Sequence, residues 1–265
     1  MAFRLVTLVV ALSVGVGRAE EPPKPGAERD VAMPNGVTMR FCWVPAGKAK
    51  LGMSPGATLD GNLEPYDYTA KGFWLGKYEV TRAEWQGVMG TNPSYFSATG
   101  KGAAKVAGLK TDRFPVDQVS FKDCENFVEK SAVKGLRVPH EDEWEYACRG
   151  GKGFKQSYYF GDALNGKQAN CFGELPFGTP EKGQALQRVT AVGSYAKLAP
   201  HPWGLCDMHG NVQEWCANLY TMKPERRCLR GGSWNTQPRA CRSASRYGDA
   251  ADYPGITYGV RLCLD

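Results

Sequence analysis

Turn-forming residues set the first limit on this chain: glycine stands at 32 and proline at 17 of its 265 positions. Their combined share lies well above the roughly 12 % usual in globular proteins. A chain so punctuated does not sustain long helices, which argues against a helical bundle or a coiled coil. Hydrophobic residues at 42 % and aromatics at 11 % argue equally against disorder, since that much apolar surface can offset the entropy of ordering. The length suits one large domain or two small ones. From Gly36 onward no stretch has the composition of an interdomain linker, which favours one.

The amino terminus decides how charge and cysteines are read. Arg4 precedes an apolar run from Leu5 to Gly17, and Gly17 and Ala19 place small residues before a cut after Ala19. This is the layout of a secretory signal peptide over residues 1–19. The run is shorter than the roughly 20 residues that span a bilayer, so export to a periplasmic or extracellular space is expected, with no stable membrane anchor after cleavage. Losing Arg4 and Arg18 lowers the formal charge from +6 to +4, a balance that gives no reason to expect nucleic acid. Residues 20–36, polar and carrying Pro22, Pro23, Pro25 and Pro34, read as a linker, which leaves the domain at 37–265.

All nine cysteines lie beyond the expected cut. Export permits disulfides, although connectivity stays open. Cys124 and Cys148 fall on consecutive helix candidates and are placed to meet across their interface. The alternative is that the cysteines serve as small buried apolar residues.

Periodicity yields a coarse map. Val37–Val44 and Phe73–Val80 read as strands. Thr81 caps a helix, with Glu84 three residues on and Trp85, Val88 and Met89 on one face. Residues 91–115 read as a long loop. Ser120 caps a second helix with Asp123 in the capping-box position, and Glu141–Arg149 is a third, spacing Trp144, Ala147 and Cys148 at i, i+3 and i+4. Leu136–Pro139 is extended, and after Gly150 short strands and turns are expected. The sum is a compact α+β domain.

Common catalytic motifs fail. The run Gly161 to Gln168 resembles a phosphate loop, but Gln168 stands where Ser or Thr is required. Gly231-Gly232-Ser233-Trp234-Asn235 lacks the second glycine of a nucleophile elbow. His140, His201 and His209 form no zinc-hydrolase spacing. One segment does carry chemistry: Gly204-Leu205-Cys206-Asp207-Met208-His209-Gly210-Asn211-Val212-Gln213-Glu214-Trp215. Asp207 and Glu214 offer carboxylate oxygens, and a tight turn at Gly210 aims the carbonyls of Gly210 and Val212 inward. Hard cations such as calcium take that mixture.

This segment resembles the signature of the formylglycine-generating enzyme, or sulfatase-modifying factor, family. The likeness extends through Tyr78-Glu79-Val80-Thr81, Leu136-Arg137-Val138-Pro139, Glu143-Trp144-Glu145-Tyr146-Ala147, Arg230-Gly231-Gly232-Ser233-Trp234, Cys241-Arg242-Ser243-Ala244 and the closing Gly259-Val260-Arg261. It implies a variant of the C-type-lectin-like fold with little regular secondary structure. It also implies one calcium on the side chains of Asp207 and Glu214 and the carbonyls of Gly210 and Val212. A second calcium would begin at Asn170 and the Cys171 carbonyl, but Gln184, Ala185 and Leu186 offer no acid to complete it, and Glu181 is the substitute at hand.

Activity follows less directly. Members that oxidise a sulfatase cysteine to formylglycine with oxygen use copper(I) held by two cysteines five residues apart, and soft thiolates suit that ion. In the matching stretch Thr236 takes the first cysteine position and Cys241 the second, while Ser233 matches an active-site serine. A threonine hydroxyl is hard and weakly acidic, so copper is not expected. Cys241-Arg242-Ser243-Ala244 also resembles a later, non-catalytic stretch. The iron-dependent sulfoxide synthases that use this domain would need an additional histidine-bearing domain. The resemblance therefore favours a calcium-stabilised binding or accessory protein with a protein, peptide or glycan partner. The alternative is a formylglycine-generating oxidoreductase with an unusual cysteine set.

Overall fold

The computed structural model describes residues 21–52, 64–222 and 225–265; the expected signal peptide lies outside them. The stretch read as a linker contributes a strand, β1 (Glu28–Ala32), followed by β2 (Thr38–Val44). The two pair antiparallel from Glu28↔Cys42 to Ala32↔Thr38. The linker reading is thus corrected from Glu28 on: β1 is an edge strand with its side chains mostly exposed, so polarity there marks a sheet edge.

The chain continues through β3 (Gly47–Leu51), β4 (Tyr66–Ala70) and β5 (Phe73–Gly76), then α1 (Arg82–Met89) and α2 (Phe121–Ser131). Next come β6 (Leu136–Arg137), α3 (Glu141–Arg149), β7 (Gln213–Met222) and β8 (Glu225–Arg230), and last β9 (Tyr247–Asp249), β10 (Tyr258–Gly259) and β11 (Cys263–Leu264). One sheet has the order β1-β2-β5-β11-β6, a second β10-β7-β8-β9, and β3 pairs with β4 alone. β10 lies parallel to β7 and the remaining pairs are antiparallel. The expected strand over 73–80 stops at Gly76, beyond which the chain leads into α1, with Lys77 O accepting from Cys206 N at 2.9 Å and Val80 N donating to Val260 O at 2.8 Å.

All three α-helices among the described residues begin with the caps that the sequence predicts for the first two. Thr81 and Ser120 accept from the backbone of Glu84 and Asp123, which bond back reciprocally; His140 plays the same part for α3. The loop between α1 and α2 is tied down from beneath by buried Arg82, which bonds Phe96 O and pairs with Asp117 at 2.9 Å. Between α3 and β7 the chain runs through turns and isolated bridges at Tyr158↔Gly161 and Leu164↔Phe177.

The sheets separate the two largest apolar cores among the described residues, and strand alternation decides which residue joins which. Phe41, Trp215 and Leu229 face the first, where Trp85 and Phe127 stack at 5.1 Å. Cys42, Cys216 and Cys228, one step along the same strands, face the second beside Trp144, Tyr146 and Trp203. This division corrects the Cys124–Cys148 pairing. Cys124 packs in the first core and Cys148 in the second, where its thiol faces Ser243 Oγ at 3.6 Å.

Removing a cap hydroxyl costs about 1 kcal/mol, which in a domain of this size is about 3 °C. Ser120→Ala and Thr81→Ala are each expected to lower the melting temperature by about that much. Thermal denaturation followed by circular dichroism checks it.

Candidate functional site

Two regions on the β7–β8 sheet hold the residues singled out by sequence. In the first, the turn before β7 places Asp207 and Asn211 at φ 56° and 62°, flanking Gly210 at 81°. Gly210 is demanded by close approach: a Cβ there would lie 2.2 Å from Asn170 O. The same Asn170 carbonyl accepts from Asn211 N at 2.8 Å. The Asn211 side chain then acts as a hub, accepting from Asn170 Nδ2 at 3.0 Å and Thr190 N at 2.9 Å and donating to Glu79 Oε2 at 3.1 Å. The two predicted calcium segments, at 170–171 and 207–214, are thereby stitched into one unit.

The buried charges of this unit are three carboxylates, Glu79, Asp207 and Glu214, beside the guanidinium of Arg261. Arg261 pairs with Glu214 at 2.8 Å and also donates to the carbonyls of Gly76 and Cys206. Trp144 Nε1 donates to the other Glu214 oxygen at 2.6 Å. Asp207 accepts from Gly193 N at 2.5 Å. Burial, reinforced by the Glu214 charge and opposed by the Gly193 bond and Arg261, pushes the Asp207 carboxyl up to about 6. Burial together with the charges of Asp207 and Glu214 raises Glu79 well above the ordinary carboxylate range.

Against a hard cation, this donor set fits in its charge. Carboxylates outnumber the guanidinium, and the Asn170 Oδ1 oxygen is buried without a hydrogen-bond partner. At Glu214, Arg261 and Trp144 already engage both oxygens. Glu181, the substitute acid for the second site, is at the surface with Lys167 at 2.7 Å and is not brought to buried Asn170. The Cys171 carbonyl accepts from Gly173 N at 2.9 Å. Among the described residues no three His, Cys, Asp or Glu side chains are grouped to hold a metal ion.

The second region is the Gly231-Gly232-Ser233-Trp234 turn after β8. It borders a cleft of about 470 Å³ lined by Gln213, Arg230, Gly232, Thr236, Arg246 and Tyr247 among others. Thr236 Oγ1 lies 2.9 Å from Ser233 Oγ and accepts from Ser233 N at 3.0 Å. The Cys241 thiol points at Thr236 O, 3.8 Å away. Ser233, Thr236 and Cys241 are therefore brought together. Gly232, at φ 73°, leaves room for the sulfur: a Cβ there would sit 2.5 Å from Cys241 Sγ. Cys241 is fully buried, and burial raises its thiol well above the ordinary range. His209, held neutral by burial, which pushes it down to about 3, bonds Cys241 O through Nδ1 at 2.7 Å.

One wall of the cleft rests on Glu141, which sequence reasoning treated as the first residue of a helix. Its carboxylate binds Arg246, Asn218 Nδ2 at 2.7 Å and the Cys228 thiol at 3.1 Å. Arg230, on the same wall, pairs with Glu145, which also holds Arg149 at 2.8 Å. Glu79 and Arg261 were likewise missed as site residues. Their signal was a charged side chain inside an otherwise apolar strand-like run, in Tyr78-Glu79-Val80 and Val260-Arg261-Leu262.

The fold is a C-type-lectin-like α+β architecture, shared with Treponema denticola variable protein 1 (TM-score 0.72, 21% identity, 89% of this chain and 98% of that one). PvdO from Pseudomonas aeruginosa is similar too (TM-score 0.70, 23% identity, 92% of this chain and 100% of that one). The profile of the sulfatase-modifying factor enzyme 1-like domain matches residues 29–265, so the chain belongs to that family. Among curated relatives, the inactive C-alpha-formylglycine-generating enzyme 2 of Bos taurus is 33% identical over 56% of this chain and 49% of its own length. Chaperone protein LppX of Paenibacillus barcinonensis is 28% identical over 67% and 74%. Hercynine oxygenase of Mycolicibacterium smegmatis is 26% identical over 87% and 62%. The chain thus spans about half the length of the first of these relatives.

Burial works against the Glu141 charge, but the hydrogen bond and charge of Arg246, with the charge of Arg230, bring its carboxyl down to about 2. A depressed carboxylate adds stability that is present above its unfolded value and lost as pH falls through the folded one. A shift from 4.5 to about 2 corresponds to about 3 kcal/mol. Glu141→Gln is expected to flatten the acid-unfolding curve between those pH values and to lower stability at neutral pH. Urea unfolding at a series of pH values measures both.

Proposed function

We propose that this protein is a non-oxidising member of the family that binds a protein, peptide or glycan at the cleft beside the Gly231-Gly232 turn. The observation that carries this reading is Thr236. Its hydroxyl faces Ser233 Oγ at 2.9 Å where copper(I) chemistry would require a thiolate, and an alcohol does not ionise or bind soft metals at neutral pH. Cys241 beside it is one buried thiol, not a pair. The likeness to an inactive formylglycine-generating enzyme and to a chaperone supports binding over oxidation. Export is part of the proposal and rests on the layout of residues 1–19. No helix among the described residues is long and apolar enough to cross a membrane.

Calcium is proposed as a structural ion. Asp207 and Glu214, with the carbonyls of Gly210 and Val212, would hold it, and Asn170 Oδ1 would serve a second position. A bound cation would offset the surplus carboxylate charge and brace the turn before β7. The chain's own residues do the rest: Asn211 ties that turn to Asn170 and Thr190, and Arg261 fixes Glu214.

A copper-supplemented assay on a peptide carrying the sulfatase Cys-x-Pro-x-Arg motif is expected to leave its cysteine unconverted. Mass spectrometry showing the aldehyde would overturn the non-oxidising reading and favour the formylglycine-generating one. Thr236→Cys is expected to gain copper(I) binding that the wild type lacks, read by competition with a chromogenic chelator. For calcium, chelator is expected to lower the wild-type melting temperature by several degrees and that of Asp207→Ala by less. A wild type indifferent to chelator would remove the metal.

A further inference from the structure

Cys216 on β7 and Cys228 on β8 stand apart from the other cysteines. The strands pair with Glu214↔Arg230 and Trp215↔Leu229, and Cys216 and Cys228 are the next residue along each strand. There the ladder breaks into a bulge before Leu219↔Arg227. Both side chains point into the second core, both are fully buried, and the Cys228 thiol lies near enough to Cys216 to disfavour its ionisation. Directly opposed residues such as Trp215 and Leu229 have Cα atoms about 4.5–5.5 Å apart, so the residues that follow them start from a separation that a disulfide bridges. The adjoining bulge gives the backbone freedom to adjust.

Other cysteines have different company. Cys263 donates to Arg137 O at 3.5 Å and Cys206 to Gly204 O at 3.7 Å. Cys171 and Cys241 share a small core, but on irregular segments without a common register.

We propose that Cys216 and Cys228 form a disulfide that staples β7 to β8 behind the cleft wall. The oxidant is a second disulfide, of a small thiol compound or of a thiol oxidoreductase. One S–S bond forms in the protein and the oxidant's S–S bond breaks. The protein thiols give up two electrons and two protons, and the oxidant leaves as two thiols. Burial means that the bond forms while the hairpin is still open, before the second core closes over it. The change reaches the cleft, because the Cys228 thiol that donates to Glu141 Oε2 no longer carries a proton. Glu141 then has Arg246 and Asn218 as its close partners there.

The test refolds the full chain in a glutathione redox buffer, blocks free thiols, and digests without reduction. The expected product is a linked pair of peptides carrying Cys216 and Cys228, with fragmentation distinguishing Cys216 from Cys206 on the same tryptic peptide. Recovery of both as blocked free thiols, or linked to other cysteines, would overturn the proposal. Reduction is expected to lower the wild-type melting temperature by roughly 5 °C or more. In the Cys216→Ala/Cys228→Ala double variant that redox shift should vanish; a shift of the same size there would assign the staple to another pair. Should the double variant fail to fold, the peptide map of the wild type decides by itself.

Discussion

The ion pair between Arg261 and Glu214 holds together parts of the chain that share no regular element. Arg261 is wholly buried and reaches Glu214 on β7, Gly76 at the end of β5 and Cys206 ahead of the signature turn. Trp144 brings α3 to the same carboxylate. Taking such a pair out of water costs several kcal/mol per ion, and only close geometry with further hydrogen bonds recovers it. Here every Arg261 contact serves that end, so losing either partner strands a charge in the core. Through these bonds the pair ties β5, β7 and α3 to one another.

The same logic explains a domain with so little regular structure between α3 and β7. Backbone groups there are satisfied one at a time by turns, bridges and side chains. Asn211 does the work of a short sheet, joining Asn170, Thr190 and Glu79. The signature turn is therefore structural in its asparagine and glycine. The cleft lies next to this rigid unit and is walled by Arg230 and Arg246, each anchored on a glutamate of α3. A partner bound there, as proposed, would meet a preorganised surface, which lowers the entropic cost of capture.

Local elements were legible in the sequence because their causes are local. The caps at Thr81 and Ser120, the helix Glu141–Arg149 and the strand β2 all follow from side chains within a few residues of one another. The motifs located the turn at Gly210 and the substitution at Thr236. What was misread had long-range causes. The polar, proline-bearing stretch before residue 37 became an edge strand because β2 offered it a partner. Cys124 and Cys148 parted because the sheets place α2 and α3 against different cores.

The sequence by itself determined the family, the α+β class, the helix starts and the absence of a second thiol at position 236. These depend on residue identity and on short-range periodicity. Only the tertiary structure decided which charges share a buried site, that Glu79 and Arg261 belong with Asp207 and Glu214, that Glu141 supports the cleft, and that Cys216 and Cys228 share one core. Those facts depend on strand register and on which face of each sheet a residue meets. A pairing across the fold is not written in either partner's neighbourhood along the chain.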